Sequence, residues 1–159
     1  MIVIADSSPL IALAVIGKLD MLEKLYQKFY VPAAVFEEVA QAEKPFAKEL
    51  KLFLHGKIKN VENKLAVAML SNDIGAGEAE AIVLALEQRP SVVVIDDLKA
   101  RRFAKMNNLD VIGTMGILLK AKKDGLVREI KPLIATLLLN EIRISAKIIE
   151  MTLQAAGEN

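Results

Sequence analysis

Several acidic residues stand where folding does not call for them. Asp6 follows the apolar run Ile2-Val3-Ile4-Ala5, Asp96 and Asp97 follow Val92-Val93-Val94-Ile95, and Thr114 comes just past Leu109 to Ile112 and Gly113. Short continuous apolar runs of this kind read as strands buried on both faces of a parallel sheet. In such sheets ligands bind beyond the carboxyl ends of the strands. Asp and Ser in these loops ordinarily cap the next helix. Ser8-Pro9 already supplies an N-cap and a first helical residue, so Asp6 is left without a capping duty. Of Asp96 and Asp97, one carboxylate suffices for the helix opening at Leu98.

Two glutamates join them when helix faces are worked out at about 100° per residue. In the helix opened by Pro32, with Val35 at zero, Val39 and Ala42 fall near about +40° and −20° and Glu38 near about −60°, bordering the buried stripe. Glu37 falls near about 200°, where a solvated charge is ordinary. In the next strongly periodic helix, with Ile82 at zero, Glu78 lies near about −40°, inside the apolar stripe, while Glu80 and Glu87 lie near about 160° and 140° on the far side. A first-turn glutamate can serve the helix dipole alone. An inward one without a cation or donors is costly.

The chemistry open to such a group is narrow. The chain has no Cys and one His, which removes thiol nucleophiles, Cys-based zinc and His-based triads. His55, before Gly56, reads as a helix C-terminal cap rather than a catalyst. Gly75-Ala76-Gly77 lacks the Lys-Ser/Thr of a phosphate-cradling loop. Oxygen-only ligands select hard cations, Mg²⁺ or Mn²⁺. Without such an ion, converging carboxylates repel one another and their pKa values rise.

Positioning these residues falls to one domain. At 159 residues and 53% hydrophobic, the chain can bury about 68 to 70% of its unfolded surface. Aromatics are only 4%, so an aromatic platform for stacking bases is not expected. The net charge of +1 gives no global attraction to a polyanion. The stretch from Ile2 to Ile16 has no Lys or Arg in front and is broken by Asp6-Ser7-Ser8-Pro9, unlike a signal peptide. No run approaches the roughly 18 apolar residues of a membrane span. A soluble, cytoplasmic protein is expected.

The pattern predicts helices over 8–17, 19–28, 32–42, 44–54, 64–70, 78–88, 98–106, 114–123, 127–139 and 145–156. Strands are predicted at 2–5, 29–31, 58–61, 92–95 and 109–112. Alternating strands and helices imply an α/β fold, a three-layer α/β/α sandwich with a central parallel sheet. The single domain spans 1–159, with C-terminal helices 127–156 packed on it. The Leu, Ile and Met pattern of those helices suits core or a homodimer face. On the helix after Asp97, taking Phe103 as zero turns Arg101 and Lys105 outward near about 160° and 200°. Lys99, Arg101, Arg102 and Lys105 are therefore candidates for contacts with an RNA backbone, though a solvated face explains them equally well.

A resemblance gathers these residues. The blocks Val3-Ile4-Ala5-Asp6-Ser7-Ser8-Pro9-Leu10, Val31-Pro32 with Val35 and Glu38-Val39, Gly75 to Ile82, Val94-Ile95-Asp96-Asp97 with Ala100-Arg101 and Ala104, and Gly113-Thr114-Met115-Gly116-Ile117-Leu118 together resemble a PIN domain. They are similar in particular to a prokaryotic branch related to VapC-type toxins. The likeness covers about the first 125 residues and is looser in the C-terminal helices. It implies a Mg²⁺- or Mn²⁺-dependent endoribonuclease with Asp6, Glu38, Glu78 and Asp96 as its acidic quartet. Metal would be held by Asp6, Glu78, Asp96 and Asp97, with Ser7 and Thr114 in support; which of Asp96 and Asp97 is the principal ligand stays open. RNA is the implied substrate, an antitoxin protein the implied partner of the toxin-type members, and pairing into a homodimer is common among such proteins. The alternative is a catalytically inactive PIN-like, or a receiver-like, binding or regulatory module. A receiver-like site would want its acidic pair after the first strand; here the pair follows Val92 to Ile95.

Overall fold

The computed structural model describes residues 1–159. In chain order the elements are β1 (Ile2–Ala5), α1 (Ser7–Val15), α2 (Met21–Leu25), β2 (Lys28–Tyr30), α3 (Ala33–Val39), α4 (Ala47–Phe53), α5 (Lys64–Leu70) and α6 (Ala76–Glu87). They continue with β3 (Ser91–Val94), α7 (Leu98–Met106), β4 (Asp110–Ile112), α8 (Thr114–Lys123), α9 (Lys131–Leu139) and α10 (Ala146–Ala156). The four strands form one sheet in the order β2-β1-β3-β4, and every pairing is parallel. Strand side chains alternate between the faces. Val3, Ala5, Val92 and Val94 join one buried cluster with α1, α3 and α8, whereas Ile4, Val93 and Ile95 join another with α6 and α7. The fold is thus an α/β three-layer sandwich. No helix is long and apolar enough to cross a membrane.

The strand order places the site. The chain leaves β1 toward β2 on one side and resumes with β3 on the other, so the helices that follow β1 and β3 pack on opposite faces. The crevice this opens lies at the carboxyl ends of β1 and β3, where doubly wound sheets bind ligands. Asp6 and Asp96 follow those two ends.

Several element boundaries differ from the sequence expectation, each for a local reason. The first helix starts at Ser7 rather than after Ser8, so Asp6 occupies the N-cap position, although its side chain makes no capping hydrogen bond. The helix opened by Pro32 ends at Val39 and the next begins only at Ala47, because Pro45 and the left-handed Phe46 (φ 63°) interrupt the pattern. Residues 58–61 make no strand; Ile58 forms a single bridge to Val31. α2 stops at Leu25, and its extended C-cap Tyr26 leads into β2.

The C-terminal helices are locked by Glu158. Its carboxylate accepts the amides of Ile130 and Lys131 at the start of α9 and pairs with Lys122 Nζ of α8 at 2.8 Å. These donors pull its pKa down to about 2, led by the Ile130 amide. A depressed carboxylate contributes stability above its unfolded value and loses it as pH falls through the folded one. We therefore expect Glu158→Gln to melt a few degrees below the unaltered protein at pH 7, with the gap closing between about pH 4.5 and pH 2. A pH-independent gap would show that the carboxylate charge is not what holds α10 in place.

Candidate active site

Asp6 forms the floor of the crevice. It is 5% exposed and follows the central strand β1, whose backbone is bonded to β2 on one side and β3 on the other. Its amide donates to Val94 O at 3.0 Å, extending the β1–β3 ladder to the aspartate itself. Burial pushes its carboxyl up to about 7; the Ser7 amide offsets part of this, and Glu78, Glu38 and Asp96 add to the rise in that order. The structure thus brings three further acids to bear on one buried carboxyl. Next to it, the buried Ser7 hydroxyl has no hydrogen-bond partner.

The other carboxylates stand higher. Glu78 is half-buried in the first turn of α6, and its Oε1 accepts the amide of the N-cap residue Gly75 at 3.0 Å. Burial raises its pKa as well, with Asp97 and Glu38 contributing repulsion. Glu38, expected at the border of the buried stripe, is exposed at the rim because it lies in the last turn of the short α3. It still reaches the site. A Cβ on Gly77 would lie 3.2 Å from Glu38 Oε2, 3.4 Å from Val35 Cγ2 and 3.6 Å from Asp6 Oδ1, so the missing side chain is what lets α6 approach α3 and β1 together.

Asp96 and Asp97, both exposed, divide the two duties expected of them. Asp97 Oδ2 accepts the Ala100 amide at 2.9 Å and caps α7. Asp96 is held from the side by buried Thr114, whose amide donates to Oδ1 at 2.7 Å and whose hydroxyl donates to Oδ2. Thr114 begins α8 directly after β4, so a sheet end and a helix start fix the orientation of one carboxylate.

One position departs from the expected helix faces. Arg101 is half-buried rather than outward, and its Nη1 donates to Ile95 O at 2.8 Å. Asp96 Oδ1 and Arg101 Nη1 lie 2.8 and 2.9 Å from where a Gly113 Cβ would be, so the guanidinium sits beside the crevice. The error lay in the reference residue: α7 buries Ala100 and Ala104, not Phe103. Lys99, Arg102 and Lys105 are exposed. Glu80 and Glu87 lie outside the apolar stripe of α6 yet are not free charges. Glu80 Oε1 accepts the Ala34 amide at 3.0 Å, and Glu87 accepts the amides of Glu62 and Asn63 ahead of α5. Sequence periodicity could not find either partner, which is 46 residues away for Glu80. His55 is exposed just past α4.

Oxygen donors, uncompensated negative charge around Asp6 and the orphaned Ser7 hydroxyl fit a hard divalent cation. The carboxylates do not form a finished chelate: no three acidic or His side chains are placed to hold one ion. Glu78 is turned onto Gly75 and Asp96 onto Thr114.

Among family models, that of a PIN domain, DUF3368, matches residues 2–158, well beyond the span expected from the sequence blocks. Comparison with curated proteins and with solved structures gave no match.

A raised carboxyl pKa means that ionisation costs folding free energy. The cost is absent below about pH 4, grows as pH rises, and is complete above about pH 7 at about 4 kcal/mol. Metal-free Asp6→Asn is therefore expected to melt several degrees above the unaltered protein at pH 8 and level with it near pH 4. Thermal melts at the two pH values check this; an Asn variant less stable at both would contradict the electrostatic account.

Proposed function

The chain belongs to the PIN-domain family, a nuclease-type fold, and from that premise we propose that it is a Mg²⁺- or Mn²⁺-dependent endoribonuclease. The observation that carries the reading is the buried Asp6 carboxyl facing Glu38, Glu78 and Asp96 at the crevice between β1 and β3. In this reading Asp6, Glu78, Asp96 and Asp97 would hold the metal, and Glu38 would complete the acidic set. When bound, the cation supplies an activated water and charge stabilisation for in-line displacement at a phosphodiester.

The protein's own groups supply positioning. Thr114 fixes the plane of the Asp96 carboxylate through two hydrogen bonds, leaving its remaining lone pairs toward the crevice. The Ser7 hydroxyl is free to donate or accept at the floor. Arg101 keeps guanidinium donors beyond the one given to Ile95, next to Asp96, and so suits a phosphate oxygen of the substrate. Lys99, Arg102 and Lys105 project from the same helix into solvent and suit phosphates further along the RNA. The rim position of Glu38, Asp96 and Asp97 leaves the crevice open to a polymer.

A toxin role with an antitoxin partner, and a homodimer formed through exposed Leu138, Leu139, Ile148 and Met151, belong to the same proposal and rest on the family resemblance. A second reading, an inactive PIN-like binding module, draws on the engagement of Glu78 and Asp96 with Gly75 and Thr114 and on the unfinished chelate. Cleavage assays on a mixed RNA pool decide between them. The nuclease reading expects cleavage with Mn²⁺ or Mg²⁺ and none in EDTA. It expects Glu78→Gln to lose more than the roughly 10- to 100-fold that removal of an outer-shell partner costs, while Glu37→Gln on exposed α3 surface stays near the unaltered rate. Full cleavage in EDTA, or none under any metal, would contradict it.

A further inference from the structure

α3 carries Glu38 to the site but cannot fix its own start. It is seven residues long, its N-cap is Pro32, which has no capping side chain, and its first turn contains no acidic residue. Short helices depend on tertiary contacts for their stability. The orphan amide of Ala34 is satisfied from another helix, by Glu80 Oε1 of α6 at 3.0 Å. The carboxylate also places negative charge at the positive end of α3.

The same helix α6 touches α3 again one turn earlier. Gly77 lets Val35 and Glu38 close in, and Glu78, the next residue, feels the negative charge of Glu38. Glu80 thus grips the first turn of α3 while Gly77 accommodates its last, and the two contacts fix α3 along and around its axis relative to Glu78. Glu87, seven residues further along α6, makes the analogous grip on the amides that precede α5.

We propose that Glu80 is a positioning residue of the acidic site: by capping α3 from α6 it sets the register of Glu38 against Asp6 and Glu78. The inference rests on the metal-dependent reading above. Its role is that of a hydrogen-bond acceptor of the right length, so the charge itself is dispensable.

The test uses Mn²⁺ alone as the probe, with calorimetric affinity for the full chain, and amide hydrogen exchange at Ala34 in the metal-free protein. Glu80→Ala and the shorter Glu80→Asp are expected to weaken Mn²⁺ binding about tenfold, in the range found for outer-shell partners of metal ligands, and to speed Ala34 exchange. Glu80→Gln, which keeps an oxygen at the same reach, should stay within about threefold of the unaltered protein on the same scale. Glu87→Ala should lower the melting temperature without changing Mn²⁺ affinity. If Glu80→Ala fails to fold, the Asp and Gln pair carries the comparison. Equal Mn²⁺ affinity in Glu80→Asp and the unaltered protein, or equal weakening in the Glu80 and Glu87 variants, would overturn the positioning role while leaving the metal reading intact. Absence of Mn²⁺ binding in the unaltered protein would instead overturn the metal reading, and this inference with it.

Discussion

Burying one carboxyl at the end of the central strand, with three other acids facing it, sets the terms for the rest of this fold. Asp6 cannot withdraw: its amide is part of the β1–β3 ladder, and the residue is buried at the start of α1. Ionisation there is opposed first by burial and then by Glu78, Glu38 and Asp96. A fold that only needed stability would place an apolar or small residue at this position. The strain is tolerated because the sheet on both sides of β1 is continuous and parallel and its two faces are fully covered.

Around that floor, each remaining acid is held by a different local device. Glu78 accepts the N-cap amide of its own helix, Asp97 caps α7, and Asp96 is clamped by a threonine from the neighbouring strand–helix junction. Glu38 alone has no such device and depends on how α3 is seated. Helix α6 does that seating. With a glycine at the point of closest approach and glutamates on its outer flank, it joins the start of α3, the start of α5 and the crevice into one body.

The sheet and the nearness of these acids to one another were legible because both follow from local patterning. Val92 to Ile95 and Ile2 to Ala5 are apolar runs closed by aspartates, and the surplus of carboxylates over capping duties pointed to Asp6 and to one of Asp96 and Asp97. What escaped the sequence was long-range. The hold on Asp96 comes from Thr114, on a different element. Arg101 was turned the wrong way because the two small alanines, not the larger Phe103, mark the buried side of α7. The partner of Glu80, an amide in α3, has no signature in periodicity. Glu38 borders the buried stripe by angle, but α3 ends at Val39 rather than Ala42 and the glutamate is exposed at the rim.

The central claim is that Asp6 carries an ionisation cost that a divalent cation relieves. Following the Asp6 carboxyl carbon by NMR through a pH titration, first in metal-free protein and then in saturating Mg²⁺, tests it most directly. The account predicts an inflection near the raised value of about 7 without metal and one below the ordinary carboxylate range, under about 4, with it. An ordinary value in the metal-free protein, or a raised one that Mg²⁺ leaves unmoved, would contradict the account.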